Sequence, residues 1–217
     1  MTKGKASYPI PVSPEQDELL KAYASMLVEV NKRFNLISRG DVHQAMRHHI
    51  SHSLIVARQD VPAGAKVVDW GSGGGLPAIP LAIMWPEVQI IAVDSNGKKT
   101  RSIELFSRKL GISNCSTWQG RAEQCVGQFQ NSVSRATAPL NDLWSWHKRV
   151  YATGKPPSSE FWQEGLICLK GGDLAAEIAE LKDTDSQVQV DVQPLTELAD
   201  DPYFSTKRLV HVISNQA

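Results

Sequence analysis

The fold is decided by the stretch Val67-Val68-Asp69-Trp70-Gly71-Ser72-Gly73-Gly74-Gly75-Leu76-Pro77. It begins as an apolar run typical of a buried strand, passes into a cluster of glycines, and leads into an apolar segment, 77–84, that we predict to be helical. Because glycine has no Cβ, such a loop can turn tightly and approach a bound molecule. In open α/β sheets, ligands bind beyond the carboxyl ends of the strands, where backbone N–H groups at a helix start face them. The stretch therefore predicts a ligand-binding loop after the first strand.

The glycine spacing is compatible with two classes of ligand. A dinucleotide site has the pattern G-x-G-x-x-G/A, which fits only in the frame of Gly73, Gly75 and Ala78. The pattern acid-x-Gly-x-Gly-x-Gly, met by Asp69, Gly71, Gly73 and Gly75, is that of class I S-adenosylmethionine (SAM) methyltransferases. A carboxylate at this place repels a pyrophosphate, whereas it can accept hydrogen bonds from the loop or, through water, from the methionine ammonium. Asp69 therefore favours SAM.

A second acid, Asp94, follows the next predicted strand, Val88–Val93. An acid at the end of this strand binds the ribose hydroxyls of an adenosine. NAD enzymes use the same device, so Asp94 indicates a nucleoside without choosing between the two ligands. A glycine-rich turn with a capping Asp is the alternative without a ligand. The order of strand, glycines, helix and second acid argues against that alternative.

Short apolar runs and helical stretches alternate along the rest of the chain. This alternation predicts an α/β fold with a mostly parallel sheet and helices on both faces. Together with the glycine loop and Asp69, it indicates a Rossmann-like class I SAM methyltransferase fold with a seven-stranded sheet. The last two strands read as an antiparallel pair. The predicted strands are 66–70, 88–93, 116–119, 132–136, 166–169, 188–192 and 209–213, and the predicted helices are 77–84, 98–110, 140–150 and 173–181.

An N-terminal helical extension precedes this sheet. Ser13 as N-cap and Pro14 in the first turn predict a helix over 13–37, and Asp41 caps a second one over 41–58. We divide the chain into a disordered lead (1–12), N-terminal helices (13–62) and a methyltransferase domain (63–217), which form one compact unit. A Pro/Gly/Ser loop is predicted over 154–159.

Composition excludes several classes of protein. The three cysteines, Cys115, Cys125 and Cys168, form no CxxC pair, so a disulfide framework or Cys-based zinc site is not expected, and a reducing cytoplasm is. No run of about eighteen apolar residues is present to span a membrane. The N-terminus lacks the apolar core of a secretory signal. These features predict a cytoplasmic protein without membrane attachment, and we expect a monomer.

The 23 basic and 23 acidic residues cancel, but they are unevenly placed. Residues 32–58 carry five Lys/Arg, four His and one acid; residues 98–109 carry five Lys/Arg and one acid. Residues 173–201 carry nine acids and one base. Such asymmetry is typical of a nucleic-acid-binding face, although ordinary solvated helix surface can have the same pattern. Composition alone leaves both interpretations open.

Several segments, in order over residues 20–175, resemble the RsmG (GidB) family, which methylates N7 of a guanine in bacterial 16S rRNA. The Leu-Pro-x-Ile-Pro end of the glycine loop and the Ser-Arg-Ala strand end are more specific than the glycines. The matching segments are Phe34-Asn35-Leu36, Gly71–Pro80, Asp94–Lys99, Gly120–Glu123, Ser134-Arg135-Ala136 and Leu169-Lys170-Gly171. The resemblance implies SAM as cofactor and 16S rRNA or the small ribosomal subunit as partner.

The resemblance also implies roles for individual residues. Gly71, Gly73 and Gly75 line the methionine end of SAM, with Leu76 beside them. Asp94 holds the ribose, and the backbone at Ala122 and Glu123 reads the adenine edge. Arg135 lies near the methionine and the incoming base as a positioning residue; a salt bridge to Asp69 or Glu123 is the alternative. The candidates for RNA contact are Arg39, Arg47, His49, Lys98, Lys99, Arg101 and Lys170.

The sequence departs from the family pattern at a few places. The family stretch Arg-His-x-x-Asp-Ser appears as His48-His49-Ile50-Ser51-His52-Ser53, with histidines for the arginine and aspartate. Trp70 stands where a smaller residue is usual, and 155–161 looks inserted. His48 and His52 have a spacing that zinc ligands can use, but no nearby Glu or Cys completes a set, so no metal is predicted. Trp144 and Trp146 alternate on a predicted helix, so we expect one of them to pack in the core.

The resemblance leaves the acceptor open to other possibilities. The chain could be a SAM-dependent methyltransferase of another RNA, a protein or a small molecule, because fold and cofactor do not determine the acceptor. A nucleotide-dependent oxidoreductase and a binding module without catalytic activity are the alternatives outside this class. The Asp69 carboxylate disfavours the first, and the intact loop with Asp94 disfavours the second.

Overall fold

One seven-stranded sheet runs through the computed structural model, which describes residues 8–59, 61–135, 137–152, 164–197 and 201–214. The strand order is β3-β2-β1-β4-β5-β7-β6. Strands β1 to β5 are parallel, and β7 lies antiparallel between β5 and β6. The strands are β1 Lys66–Trp70, β2 Gln89–Asp94, β3 Cys115–Gln119, β4 Asn131–Arg135, β5 Gly165–Gly171, β6 Val188–Pro194 and β7 Lys207–Ser214.

Helices cover both faces of this sheet, as predicted. Side chains that alternate along a strand point to opposite faces, so Val67 packs in one apolar cluster with helices α1 to α4 and Val68 in another with α5 and α6. The helices are α1 Pro14–Asn31, α2 His52–Leu54, α3 Ala78–Met84, α4 Gly97–Leu110, α5 Leu140–Val150 and α6 Ala175–Thr184. None of the described helices is both long and apolar enough to cross a membrane.

The chain order reverses between β1 and β4. Strand β1 pairs with β2 on one side and with β4 on the other. The crossovers from β1 lead to one side of the sheet and those from β4 to the other, so a crevice opens at their carboxyl ends. The glycine loop, residues 71–75, follows β1 into this crevice.

The N-terminal segment differs from the sequence prediction in two ways. Residues 8–12, predicted to be disordered, pack on the protein: the Tyr8 hydroxyl donates to Asp17 Oδ1 at 2.6 Å, and Ile10 and Val12 contact the first cluster. Helix α1 ends at Asn31, short of the predicted residue 37, because the Asn31 side chain accepts from the backbone N–H of Leu36 (2.7 Å) and of Ile37 (3.0 Å).

The predicted helix 41–58 is irregular. It divides into a 3₁₀ turn (Arg39–Gln44), a π turn (Ala45–Ser51), the short α2 and a further 3₁₀ turn (Val56–Arg58). A surface helix buries one face, but residues 49–56 are all buried, polar ones included. A regular amphipathic helix cannot satisfy that burial. The predicted loop at 154–159 and insertion at 155–161 lie outside the described residues.

Candidate functional site

A cavity of about 490 Å³ opens at the carboxyl ends of β1, β2 and β4, in the size range of small-molecule sites. Its walls are the glycine loop, the end of β2, the loop after β3 and the end of β4. Most of the residues predicted to bind a cofactor line it. These are Gly71, Gly73, Leu76, Asp94, Ala122, Glu123 and Arg135.

The glycine loop is shaped by close approach of neighbouring groups. A Cβ on Gly71, whose φ is +68°, would lie 2.1 Å from Thr137 Cγ2, so a side chain cannot be accommodated there. Gly75, with φ +93°, does not line the cavity; a Cβ on it would lie 2.8 Å from Ile79 Cγ1. Gly71 therefore forms the cavity wall, whereas Gly75 allows close packing of the loop on α3.

Asp94 connects the two loops that bound the cavity. Its Oδ2 accepts from the Gly73 N–H at 3.0 Å and its Oδ1 from the Asn96 N–H at 2.9 Å. Lys99 Nζ lies 3.7 Å from Oδ2. A carboxylate has about four acceptor positions, so Asp94 keeps acceptor capacity toward the cavity. This is the placement expected of a ribose-binding acid.

Asp69 lies behind the glycine loop and does not line the cavity. It is fully buried, and its Oδ2 accepts from the Ala78 N–H at 3.1 Å while its Oδ1 has no partner. Burial raises the pKa of this carboxyl to about 7. Of the two roles considered for this acid, the placement supports a hydrogen bond to the loop rather than direct contact with a ligand.

Arg135, at the end of β4, projects its guanidinium to the cavity. Nη1 donates to His49 Nδ1 at 2.8 Å, and Nε has no partner. Neither Asp69 nor Glu123 forms an ion pair with it, so the alternative weighed from the sequence is not observed. Because Arg donates only, His49 accepts at Nδ1 and carries its proton on Nε2. The positive charge of Arg135 is therefore not neutralised by a carboxylate of the described chain.

His49 is buried behind Arg135, which corrects the expectation that it contacts RNA. Burial, followed by the charge of Arg135, lowers the pKa of the imidazole to about 4. A neutral imidazole is the form that can accept the hydrogen bond from Arg135. His49 is thus a support for Arg135 rather than a surface residue.

Three other predicted RNA-contacting cations are engaged within the protein. Lys170 is buried, and its Nζ donates to the Ala138 carbonyl and to Glu177 Oε2, each at 2.6 Å. Arg47 forms a bidentate ion pair with Asp201. Lys99 lines the cavity beside Asp94. Lys170 is therefore not at an RNA-facing rim. Arg39, Lys98 and Arg101 are exposed, as an RNA contact requires.

The remaining histidines of the 43–52 stretch have separate surroundings. The His48 ring stacks on Tyr203 with centroids 3.8 Å apart, and its Nδ1 lies 3.0 Å from Asp41 Oδ1. His52 is buried against Tyr203 and Phe204, and burial lowers its pKa. Within the described residues, no three His, Cys, Asp or Glu side chains are grouped to hold a metal ion.

Several cavity residues were not identified from the sequence. Thr137 contacts the glycine loop, and its Oγ1 donates to the Trp70 carbonyl at 3.1 Å. Trp146 lines the cavity and meets the buried Trp70 edge to face, with centroids 6.0 Å apart. Trp144 packs in the core, as expected of one of the two indoles. In the sequence, only helical periodicity could have distinguished the buried Trp144 from Trp146 at the cavity, because it places the two indoles on different sides of α5.

Comparison with known proteins identifies the family. The sequence profile of the GidB family, described as rRNA small subunit methyltransferase G, matches residues 16–201. The Salinibacter ruber protein named ribosomal RNA small subunit methyltransferase G is 45% identical over 204 residues, covering 94% of this chain and 95% of that protein. The Chlorobaculum tepidum protein of the same name is 38% identical, covering 93% and 91%. The chain belongs to this family. Membership confirms the predicted class of enzyme, a SAM-dependent methyltransferase, and the predicted cofactor, SAM.

Solved structures share the fold at low sequence identity. Ribosomal protein L11 methylase from Lactobacillus delbrueckii subsp. bulgaricus aligns with a TM-score of 0.57 and 15% identity, over 76% of this chain and 78% of that one. Aeropyrum pernix fibrillarin with natively bound S-adenosyl-L-methionine aligns with a TM-score of 0.55 and 14% identity, over 74% and 73%. These likenesses confirm the predicted class I methyltransferase fold.

Lys170 should matter for stability rather than for RNA affinity. Lys170→Met removes the ammonium, which leaves the Ala138 carbonyl without this donor and Glu177 Oε2 with only the Leu140 N–H, so we expect the free energy of unfolding to fall by about 1–3 kcal/mol. Lys182→Met, at an exposed cation of α6, is the matched control and should stay within about 0.5 kcal/mol of wild type. Urea denaturation measures both. A Lys170→Met protein of wild-type stability but weakened RNA binding would return Lys170 to the RNA interface.

The buried imidazole of His49 should make stability depend on pH. The pKa of His49 rises from about 4 in the folded state to the ordinary imidazole value of 6.5 on unfolding, so the unfolded chain binds the extra proton between these pH values. The unfolding free energy contributed by this group is therefore present above pH 6.5 and declines as pH falls toward 4. His49→Asn keeps an acceptor and does not titrate, so its unfolding free energy should fall less steeply from pH 7 to pH 5. Parallel slopes would contradict the assigned pKa.

Proposed function

We propose that this chain transfers a methyl group from SAM to N7 of a guanine in small-subunit (16S) rRNA. The observation that supports this best is the cavity at the carboxyl ends of β1, β2 and β4, lined by most of the residues that the family resemblance assigns to SAM. Family membership supports the class of acceptor. The guanine N7 atom, a monomeric state and a cytoplasmic location stay predictions from the sequence and the family.

The residues of the cavity fit SAM in shape and charge. Gly71 and Gly73 line the cavity with backbone alone, so no side chain of either residue stands between the loop and a ligand. Asp94 lines one side of the cavity and offers carboxylate acceptors to the ribose hydroxyls. Ala122 and Glu123 also line the cavity, which supports the assignment of their backbone to the adenine edge. Arg135 presents an uncompensated positive charge, which suits the methionine carboxylate. When bound, SAM supplies a methyl group already activated by its sulfonium.

The chemistry proposed for this chain requires positioning rather than proton transfer. Guanine N7 has a free lone pair, so no general base has to deprotonate it before attack. Holding the nucleophile in line with the methyl group can by itself account for a large part of the reduction in the activation barrier of methyl transfer. Arg135 can donate to guanine O6, an acceptor on the same edge; a donor held on N7 would block attack. The chain's task is then to orient the base and exclude water from the methyl group.

Methyl transfer tests the proposal directly. The purified chain is incubated with radiolabelled SAM and with small-subunit rRNA, or small subunits, from a strain that lacks this modification. We expect label on one guanine, released by cleavage specific for N7-methylguanine. Label on another RNA, a protein or a small molecule would keep the methyltransferase and replace the acceptor. SAM binding without transfer to rRNA or subunits would overturn the rRNA assignment.

Asp94→Ala should weaken SAM binding. The substitution removes the acceptor proposed for the ribose and the acceptor of the Gly73 and Asn96 N–H groups, so the loss in binding free energy should be about 1–3 kcal/mol. The SAM affinity of Asp94→Asn, which keeps one acceptor oxygen, should lie between those of wild type and Asp94→Ala. The SAM affinity of Asp191→Ala, at an exposed position of β6, should match wild type. Titration calorimetry with SAM measures all four proteins. Unchanged affinity in a folded Asp94→Ala protein would remove Asp94 from the site.

A further inference from the structure

A groove of about 460 Å³ lies between the C-terminal end of α1 and the first half of α4. We call it the α1–α4 groove; its walls include Val30, Arg33, Phe34, Lys98 and Arg101. It is separate from the cofactor cavity but adjoins it. The cations Lys98 and Arg101 of this groove were among the candidates for RNA contact, and no role proposed above uses the groove as a whole.

The groove is strongly cationic. Arg33, Lys98 and Arg101 are exposed, and none of the three forms an ion pair among the described residues. Glu29, an acid in its wall, is paired with Lys32 at 2.5 Å, and Lys32 together with the weaker effect of Arg33 lowers its pKa. Three cations therefore face a groove whose acid is already neutralised by a neighbour. An anionic partner complements such a surface.

An exposed aromatic ring lies among these cations. Phe34 is 37% exposed, and Lys98 Nζ lies 5.6 Å from the centre of its ring. Proteins bind single-stranded nucleic acid by combining aromatic rings, on which bases stack, with cations that contact phosphates. The α1–α4 groove offers both within one surface. An acidic peptide could satisfy the charges but gains less from a lone flat ring.

The groove and the cofactor cavity are lined by neighbouring residues of the same two segments of the chain. On α4, Lys98 lines the groove and the next residue, Lys99, lines the cavity. After α1, Phe34 lines the groove and Leu36 lines the cavity. The two sites are therefore close enough along α4 and after α1 for adjacent nucleotides of one strand to be considered as their occupants.

We propose that the α1–α4 groove binds a single-stranded RNA nucleotide that flanks the methylated one. Its base stacks on Phe34, and its phosphates contact Lys98, Arg101 and Arg33. The inference rests on the proposed rRNA acceptor and names the part of the surface that holds it. It also separates the two lysines that the sequence treated alike: Lys98 faces RNA, whereas Lys99 faces the cofactor cavity.

Charge reversal on one helix tests the cationic part. Lys98→Glu with Arg101→Glu alters the groove, and Arg108→Glu with Lys109→Glu, at exposed cations at the other end of α4, is the control with the same change in net charge. We expect the groove variant to bind small-subunit rRNA at least about tenfold more weakly, with the slope of log affinity against log salt reduced by about 1.4 for two lost single-strand phosphate contacts. The control should keep most of the wild-type affinity and slope.

The aromatic part is tested at Phe34. Phe34→Leu keeps an apolar side chain but cannot stack, so RNA affinity should fall about tenfold without a change in salt slope. Phe34→Trp keeps a stacking surface and should retain affinity. SAM affinity, measured on every variant, should match wild type, because none of these side chains lines the cofactor cavity. Thermal unfolding is measured to show that each variant is folded in the assay; the control, which places acids in the last turn of α4, should melt at a lower temperature than wild type.

The outcomes distinguish this inference from the proposed function. If wild type methylates rRNA and the groove variants bind and react as wild type does, the groove assignment is wrong. Equal losses in the groove variant and in the α4 control would show a general effect of charge and would also overturn it. If wild type itself neither binds nor methylates rRNA or subunits, the proposed acceptor fails first, and the groove assignment fails with it.

Discussion

The carboxylate of Asp94 holds the site together, because three parts of it meet at this one group. Its two oxygens accept from the Gly73 and Asn96 N–H groups, and Lys99 lies within ion-pair distance. The glycine loop after β1 and the start of α4 therefore keep their positions relative to β2. A carboxylate that is only partly used by the protein can still accept from a ligand. The same group shapes the cavity wall and offers it a negative charge.

A second constraint acts at the opposite wall, where a cation is held without a counter-ion. A carboxylate beside Arg135 would neutralise its charge, whereas the neutral His49 ring accepts a hydrogen bond and leaves that charge available. Burial keeps the imidazole neutral by lowering its pKa to about 4. Asp69, the nearby acid, is directed to the Ala78 N–H behind the loop. The cavity thus has a negative side at Asp94 and a positive side at Arg135.

The elements that the sequence predicted well are those with local signals. Ser13 starts α1 because its hydroxyl and the Gln16 side chain cap each other's backbone N–H groups, and Gly111 ends α4 in a left-handed conformation. The position of the site was predicted from the strand–glycine–helix stretch at 67–77 and the acid at the end of β2, which are also local signals. The prediction of one regular helix over 41–58 was wrong. Contacts with α1, α3 and the segment around Phe204 bury this stretch on all sides, and that burial outweighed its helical spacing of apolar residues.

Sequence alone determined the order of the strands and helices, the family, and the stretches that line the cofactor cavity, because each depends on residues close together in the chain. It could not determine which charged side chains are free. Lys98 and Lys99 are neighbours with the same charge, yet α4 turns one to the α1–α4 groove and the other to the cavity. Likewise, Lys170 of β5 forms an ion pair with Glu177 of another element, α6, and Arg47 forms one with Asp201, which is distant from it in the sequence. Only the packing of elements brings such partners together, so only the tertiary structure separates cations that hold the fold from cations that can meet RNA.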